Sequence, residues 1–499
     1  MGALESLINI QSILCGLIAV YLYIKVHSFI KLRRFKGPWL SRFSEIPHIR
    51  AFLSQIAVVS PKILATSSPE LWARTNSHPG YTRSKWFYRP VRYDWRMDNV
   101  FTQVDTKKHD LRRKQMLPGY SGRENLTLES DIDACLRQFV QLVQSGYARP
   151  GKRMDLAQKV HFLTLDSIST IGFDQCFGLL DQDADPNSYT TSTMEGLRAI
   201  NRQMALGTWW TNWIPLVGPK MDVDVATSKG FEKMLALSGS MVEARERAFH
   251  EEEKNIGVVE KADMLTSFMK NGIAGAELKT EVILQIVAGS DTTAAAIRGT
   301  MLYVLTNPRV YKVLQSEIDE AVAAGWASPA PDIISHAQAK RLPYLQAVIK
   351  EGIRIFPPVT DPLGRDTPPG GDTVTIDGEE VFLPGGISVF PSFVAMHRDK
   401  RIFGEDADVF RPERWLDESD RARLDAMKRV HDLEFAHARY LCLGKSIAMM
   451  ELSKVLFELL RHFDWGLVNP EKPWKNANYT GLRAITDLWV QVQERPLVV

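Results

Sequence analysis

The loop Phe435-Ala436-His437-Ala438-Arg439-Tyr440-Leu441-Cys442-Leu443-Gly444-Lys445 runs directly into a segment, Ser446 to Phe463, with apolar residues at helical spacing: Ile447, Met450, Leu452, Val455, Leu456 and Leu459. The fold must therefore hold one sulfur just ahead of a helix N-terminus. There the positive end of the helix and the backbone N–H groups of Leu443 and Gly444 can meet it, and both favour thiolate over thiol. Gly444 lets the backbone lie close to the sulfur and to a flat cofactor. Taken alone, a buried structural cysteine is the commoner reading of such a residue.

Two more segments bear on that choice. Ala288-Gly289-Ser290-Asp291-Thr292-Thr293 lies inside Leu278 to Leu305, which reads as one long, mostly apolar helix. Thr292 can return its hydroxyl to the carbonyl of Ala288, and Gly289 removes a side chain at the same turn, so a small groove is expected there. A helix cap or hinge is the alternative. In Glu351-Gly352-Ile353-Arg354, followed by Ile355-Phe356-Pro357-Pro358, the acid and the arginine share a helix face and the prolines end the helix. Such pairs are most often surface salt bridges of little consequence. Arg414, in Phe410-Arg411-Pro412-Glu413-Arg414-Trp415, offers a third charge.

Together these segments resemble the cytochrome P-450 superfamily of haem-thiolate monooxygenases, and the overall look of Phe435 to Met450 resembles fungal secondary-metabolism members of the pisatin demethylase-like group. Phe435, Cys442 and Gly444 match the family's cysteine motif, Arg439 supplies its basic residue, and Ala438 stands where glycine is usual. The resemblance implies an α+β, mainly helical fold, with a large helical body, a smaller β-rich lobe and an N-terminal transmembrane helix. It implies haem b (iron protoporphyrin IX) with Cys442 as thiolate axial ligand and metal ligand. Asp291 and Thr292 would pass protons in a groove holding dioxygen and water. Glu351, Arg354 and Arg414 would form a buried network bracing the cysteine loop. His109, Arg113 and Arg365, with Arg439 or Tyr440, would meet the haem propionates, and arginine suits a carboxylate through its forked donors. Arg112 and Lys114 read as solvated. Phe101, Ile286, Val287, Val359 and Thr360 are pocket candidates, because equivalent segments face the haem in the family.

The resemblance also implies an NADPH-dependent flavoprotein reductase as electron donor, since the chain has no dinucleotide fingerprint of its own. Docking is expected on the cysteine side, through Arg439, Lys445 and the Lys107–Lys114 cluster. An apolar small molecule would receive one oxygen atom from O2. A haem-thiolate isomerase or peroxygenase of the same fold is the rival reading, against which Asp291 and Thr292 argue; a non-enzymatic haem sensor is a remote one. His437 lacks a following helix N-terminus and is the poorer iron ligand.

No linker or repeat divides the chain, and 61 basic against 59 acidic side chains give no pull toward nucleic acid. Four cysteines argue against a disulfide framework. Leu7 to Val26 has about the twenty residues a bilayer requires. Lys25, Lys31, Arg33, Arg34 and Lys36 follow it, which keeps the remainder cytosolic. The expected organisation is a transmembrane anchor at 1–27, a basic, proline-containing hinge at 28–44 and a haem-thiolate monooxygenase domain at 45–499. The expected address is the endoplasmic reticulum membrane, single-pass, in contact with membrane lipid. The sequons at Asn125 and Asn478 are expected to stay unmodified in the cytosol.

Helical spacing also marks Leu126–Gln144, Asp155–Ile171, Phe231–Glu253 and Val310–Ala323. A hairpin is expected around Asp377-Gly378, and the C-terminal segment from Trp465 to Val492 reads as turns with short strands. Trp209, Trp210 and Trp213 crowd a segment expected to form a membrane-facing lid.

Overall fold

The computed structural model describes residues 2–32, 62–94, 96–208, 210–211, 230–256, 263–361, 363–376 and 378–496. Most of the expected hinge, together with Trp209, Trp213 and Asp377, lies outside the described residues.

Helix α1 covers Gly2–Leu32, followed by strands β1 (Ile63–Thr66) and β2 (Thr82–Arg83). Helix α2 (Thr106–Tyr120) starts at Asp105, whose carboxylate accepts from the backbone N–H groups of Lys107 and Lys108 at 2.9 and 3.1 Å. Strand β3 (Met154–Asp155) feeds straight into α3 (Leu156–Phe173), again capped by an aspartate, Asp155. The central helix α4 spans Gly275–Leu305. Helix α5 (Pro343–Ile355) has proline in its first turn, where the missing N–H costs nothing, and stops ahead of Pro357-Pro358. Strands β4 (Arg365–Asp366), β5 (Asp372–Ile376), β6 (Glu379–Leu383) and β7 (Ser388–Pro391) lead to α6 (Lys445–His462). The chain closes with β8 (Phe463–Leu467), β9 (Lys475–Tyr479), β10 (Leu482–Thr486) and β11 (Trp489–Glu494).

The expected helices are present at Leu128–Leu142, which continues into a π-helical turn at Val143–Ala148, and at Gly230–Ile256 and Pro308–Ala323. Strands order as β1-β7-β4-β2, with β1 parallel to β7 and the other pairs antiparallel. The expected hairpin is β5–β6, where Gly378 supplies a left-handed φ of 84°. A second hairpin is β9–β10, and β3-β11-β8 form a third sheet.

Helix α4 packs against α3, α5 and α6, so Val282, Ile286, Ile297 and Met301 are fully buried on several sides of it. That accounts for the absence of a continuous polar face in its sequence. A Cβ on Gly289 would lie 2.8 Å from Ile168 Cδ1 of α3. The small residue expected to open a groove therefore serves the close approach of two helices.

The expected N-terminal transmembrane helix is not shown. Among the described residues no helix is long and apolar enough to cross a membrane. The side chains described in α1 are those of Ile13 to His27 and Ile30. Within that run Ile13, Leu14, Leu17, Ile18 and Leu22 are all exposed. Both sequon asparagines are tied into the fold: Asn125 Nδ2 donates to the carbonyl of Ile171, and Asn478 Nδ2 donates to Thr360 Oγ1 at 2.7 Å.

Candidate active site

The loop from Phe435 to Gly444 is closed by a backbone hydrogen bond from the N–H of Cys442 to the carbonyl of Phe435 at 2.8 Å, with shorter turns inside it from Tyr440 to His437 and from Leu441 to Ala438. Ala436 at φ 59° and Ala438 at φ 51° occupy left-handed backbone, which glycine adopts without strain and alanine does not. Helix α6 begins at Gly444 with no side-chain cap, leaving its first N–H groups free. Those of Gly444 and Lys445, rather than Leu443, reach the sulfur.

Cys442 is exposed on its open side, while the loop crowds it elsewhere. Burial pushes the thiol up, against the Gly444 and Lys445 N–H groups and the charges of Arg113 and Lys445. Haem iron held by Cys442 would supply positive charge at the sulfur and so favour the thiolate.

Arg113, expected at a propionate, donates from Nη1 to the carbonyl of Leu441 at 2.5 Å, beside the cysteine. His109 is buried, its ring 5.1 Å from that of Tyr440. Burial, reinforced by the charge of Arg83, pushes His109 down to about 3, so it is a neutral imidazole and not the expected cation. Arg365 is 1% exposed; Nη2 donates to Asn76 Oδ1 at 2.7 Å, Nη1 to Tyr88 Oη at 2.9 Å, and Nε has no hydrogen-bond partner. Its guanidinium lies 4.1 Å from the ring centre of Tyr440. A buried guanidinium with a free donor and no carboxylate fits a haem propionate. Arg439 is half-buried in the turn Ala438–Tyr440.

The two expected solvated residues divide. Lys114 is exposed, but Arg112 pairs with Glu277 and with Glu281 at 2.8 Å, tying α2 to α4. Burial pushes Glu281 up to about 7. Lys445, expected to face a redox partner, pairs with Asp432 at 2.9 Å and lies over the ring of Phe435 at 5.2 Å.

In α4 the Thr292 hydroxyl donates to the carbonyl of Ala288 at 2.8 Å, as its spacing predicts. Ala288 is exposed although Val287 before it is buried, so open space reaches the middle of the helix. Asp291 points elsewhere: its Oδ1 is 3.2 Å from His161 Nε2 of α3, and its charge reaches Arg298 and Tyr93. Of the pocket candidates, Ile286 and Val287 are core residues. Thr360 is buried, with its N–H on the carbonyl of Gly481. Phe101 and Val359 remain half-buried.

Glu351, Arg354 and Arg414 are all nearly inaccessible. Arg354 grips both oxygens of Glu351 at 2.8 and 2.7 Å, and Arg414 Nε reaches Glu351 Oε1 at 2.8 Å. Their other N–H groups reach the carbonyls of His397, Phe403, Ala407 and Val409, and Arg414 Nη1 also donates to Asp406 Oδ1 at 3.0 Å. The network thus braces the 397–415 segment rather than bonding the cysteine loop directly. Arg83, Tyr88, Asn76 and His161 escape sequence reasoning, because Arg83 lies on a two-residue strand without periodicity and the partners of all four lie far away in the chain.

The family model for Cytochrome P450 matches residues 62–486. The chain is 35% identical to "Cytochrome P450 monooxygenase ABA1" of Pyricularia oryzae, over 97% of each chain. It is 33% identical to the aba1 monooxygenase of Botryotinia fuckeliana, over 87% of this chain and 84% of the relative. Identity to the pisatin demethylase of Fusarium vanettenii is 29%, over 76% of this chain and 70% of the relative. The enzyme is thus an oxidoreductase, a monooxygenase that uses haem on a cysteine thiolate, a redox partner and a small-molecule substrate. The chain belongs to the cytochrome P450 family.

Proposed function

We propose that the protein is a membrane-anchored monooxygenase whose haem iron is held by Cys442. On this reading it inserts one oxygen atom of O2 into an apolar small molecule in fungal secondary metabolite biosynthesis. The observation that carries it is the cysteine loop: an accessible sulfur at an uncapped helix N-terminus, fixed by the bond from Cys442 to Phe435. Arg365, with Tyr440 and Arg439 beside it, would hold the propionates. Haem, once bound, supplies the activation of dioxygen.

The chain's own residues manage protons. Thr292 directs its hydroxyl hydrogen to Ala288, which leaves the oxygen of that hydroxyl free to accept a bond from the groove side. Asp291 faces His161 rather than the Thr292 side, so it would resupply protons to the groove only after its side chain turns from that partner. Residues 1–27 are the anchor, 28–44 the hinge and 45–499 the catalytic domain, single-pass in the endoplasmic reticulum membrane with the catalytic domain cytosolic. The exposed apolar side chains of α1 support contact with lipid. An NADPH-dependent flavoprotein reductase would dock on the exposed Lys107, Lys108 and Lys114 of α2. The fungal origin of the relatives supports the pathway class.

A difference spectrum of the reduced, carbon monoxide-bound protein tests the ligand. A strongly red-shifted main band is expected, and Cys442→Ser should abolish it; a band typical of imidazole ligation in the unaltered protein would overturn the assignment.

A further inference from the structure

Val100 is gripped at both of its backbone groups. Its N–H donates to Glu281 Oε1 of α4 at 2.8 Å, and its carbonyl accepts from Arg83 Nη1 of β2 at 2.5 Å. The turn around it closes on Asn99, whose Oδ1 accepts from the N–H groups of Phe101 and Thr102 at 3.0 and 2.9 Å. Glu281 is fully buried, and one of its oxygens carries all the bonding: Oε1 also accepts from Arg112 Nη1 of α2 at 2.8 Å, while Oε2 has no hydrogen-bond partner. A buried carboxylate oxygen without a donor is costly when charged and offers a seat for a proton. Arg112 is shared with the exposed Glu277 one turn earlier in α4, so its charge is not Glu281's alone. The other ionisable group beside Glu281 is the buried phenol of Tyr120, also on α2. Other helices packed on α4 direct their charges elsewhere: His161 of α3 to Asp291, Arg354 of α5 to Glu351, Glu451 of α6 to Ser167, and Glu243 of the helix Gly230–Ile256 to Lys279.

We infer that Glu281 is a positioning residue for the substrate-side turn at residues 99–103, its ionised carboxylate fixing Val100 and, with it, Phe101. The inference rests on the reading that haem sits against Cys442 and that Phe101 lines the pocket. The ring of Phe101 lies 5.2 Å from that of Tyr88, whose hydroxyl accepts from Arg365 at 2.9 Å. The turn is thereby joined to the candidate haem site on one side and to the middle of the molecule, through Glu281, on the other. Because burial holds the Glu281 carboxyl up at about 7, its charge is present at pH 8 and largely lost at pH 6. Uptake of the proton removes the charge from the bond that Val100 donates and leaves Arg112 with Glu277 alone. The turn should therefore loosen as pH falls through the neutral range.

The test uses full-length holoenzyme with and without Glu281→Gln, and reads hydrogen-exchange protection of the Val100 amide and the ferric haem-band shift on binding imidazole or 4-phenylimidazole. In the unaltered protein, protection corrected for intrinsic exchange should fall about tenfold from pH 8 to pH 6, the scale of the charge in one hydrogen bond. Glu281→Gln should show the low value at both. At pH 8 it should also bind 4-phenylimidazole, whose ring extends away from the iron, several-fold more weakly, while binding imidazole as before. Arg112→Gln leaves Glu281 protonated, so at pH 8 it should match the unaltered protein at pH 6. Unchanged protection and affinity in Glu281→Gln, or a pH dependence that survives the substitution, would overturn the inference. So would equal weakening of both probes, which puts the defect at the haem itself, or loss of folded holoenzyme in both variants, which makes Glu281 a brace for the fold. The carbon monoxide spectrum of the unaltered protein separates the two readings: absence of the thiolate band there faults Cys442, while exchange at Val100 still reports on Glu281.

Discussion

Arg354 and Arg414 are as deeply buried as Arg83 and Arg365, yet the first pair surrounds a carboxylate and the second surrounds nothing negative. Glu351 takes donors from Arg354, Arg414, the N–H of Arg411 and the indole of Trp415. Arg414 also pairs with Asp406 at 3.0 Å, so each of the two arginines has a carboxylate and the cluster needs no visitor. In the β2–β4 cluster the acceptors are carbonyls, a phenol and an amide, and the charge stays unpaired. Burial alone does not separate a brace from a binding site. The balance of charge within the cluster does.

Breaking the balanced cluster should have the largest effect. Glu351→Gln leaves Arg354 uncompensated and Arg414 with Asp406 as its carboxylate, at a cost of about 3–5 kcal/mol, and urea unfolding should show the loss together with poor haem incorporation. A variant that unfolds like the unaltered protein would make the network dispensable. Next comes Arg365→Met, which removes one of two repelling cations. The fold should survive by circular dichroism while haem transfer to apomyoglobin accelerates about tenfold. If stability falls as far as in Glu351→Gln, the contrast between the clusters is lost.

A buried acid without a cation sharpens the same point. Glu451 of α6 has Ser167 as its hydrogen-bond partner at 2.5 Å, and burial pushes its carboxyl up to about 7. The folded protein therefore keeps a proton that the unfolded chain releases near pH 4.5, and stability falls as pH rises from there through about 7. Glu451→Gln should be neutral at pH 5 and stabilising by about 1–3 kcal/mol at pH 8, checked by denaturation at both values. Equal effects at the two would refute it. The smallest change expected is from Ala438→Gly, which relieves a left-handed alanine and should raise stability by about 1 kcal/mol in the same assay.

The sequence made the long helices readable, because α4 and α6 carry runs of apolar residues too long to be anything else. The cysteine ahead of a helix, the Glu351–Arg354 pair and the bond from Thr292 to Ala288 follow from local spacing, whereas Arg414 and the burial of the network follow from the family resemblance; each is present. Orientation was harder to read. Asp291 and Thr292 are neighbours, but successive helix residues diverge by about 100°, so one faces His161 and the other its own turn. Arg112 read as solvated because its partners, Glu277 and Glu281, lie far along the chain.

The amino-acid order by itself determined the helical body, the sulfur at a helix start and the family, since all three rest on interactions within a few residues or on an extended match. Tertiary structure alone decided which charges are compensated. Arg83 meets Arg365, Glu281 meets Arg112 and Asp291 meets His161 only through strand register and helix packing, and burial then sets what each pair requires.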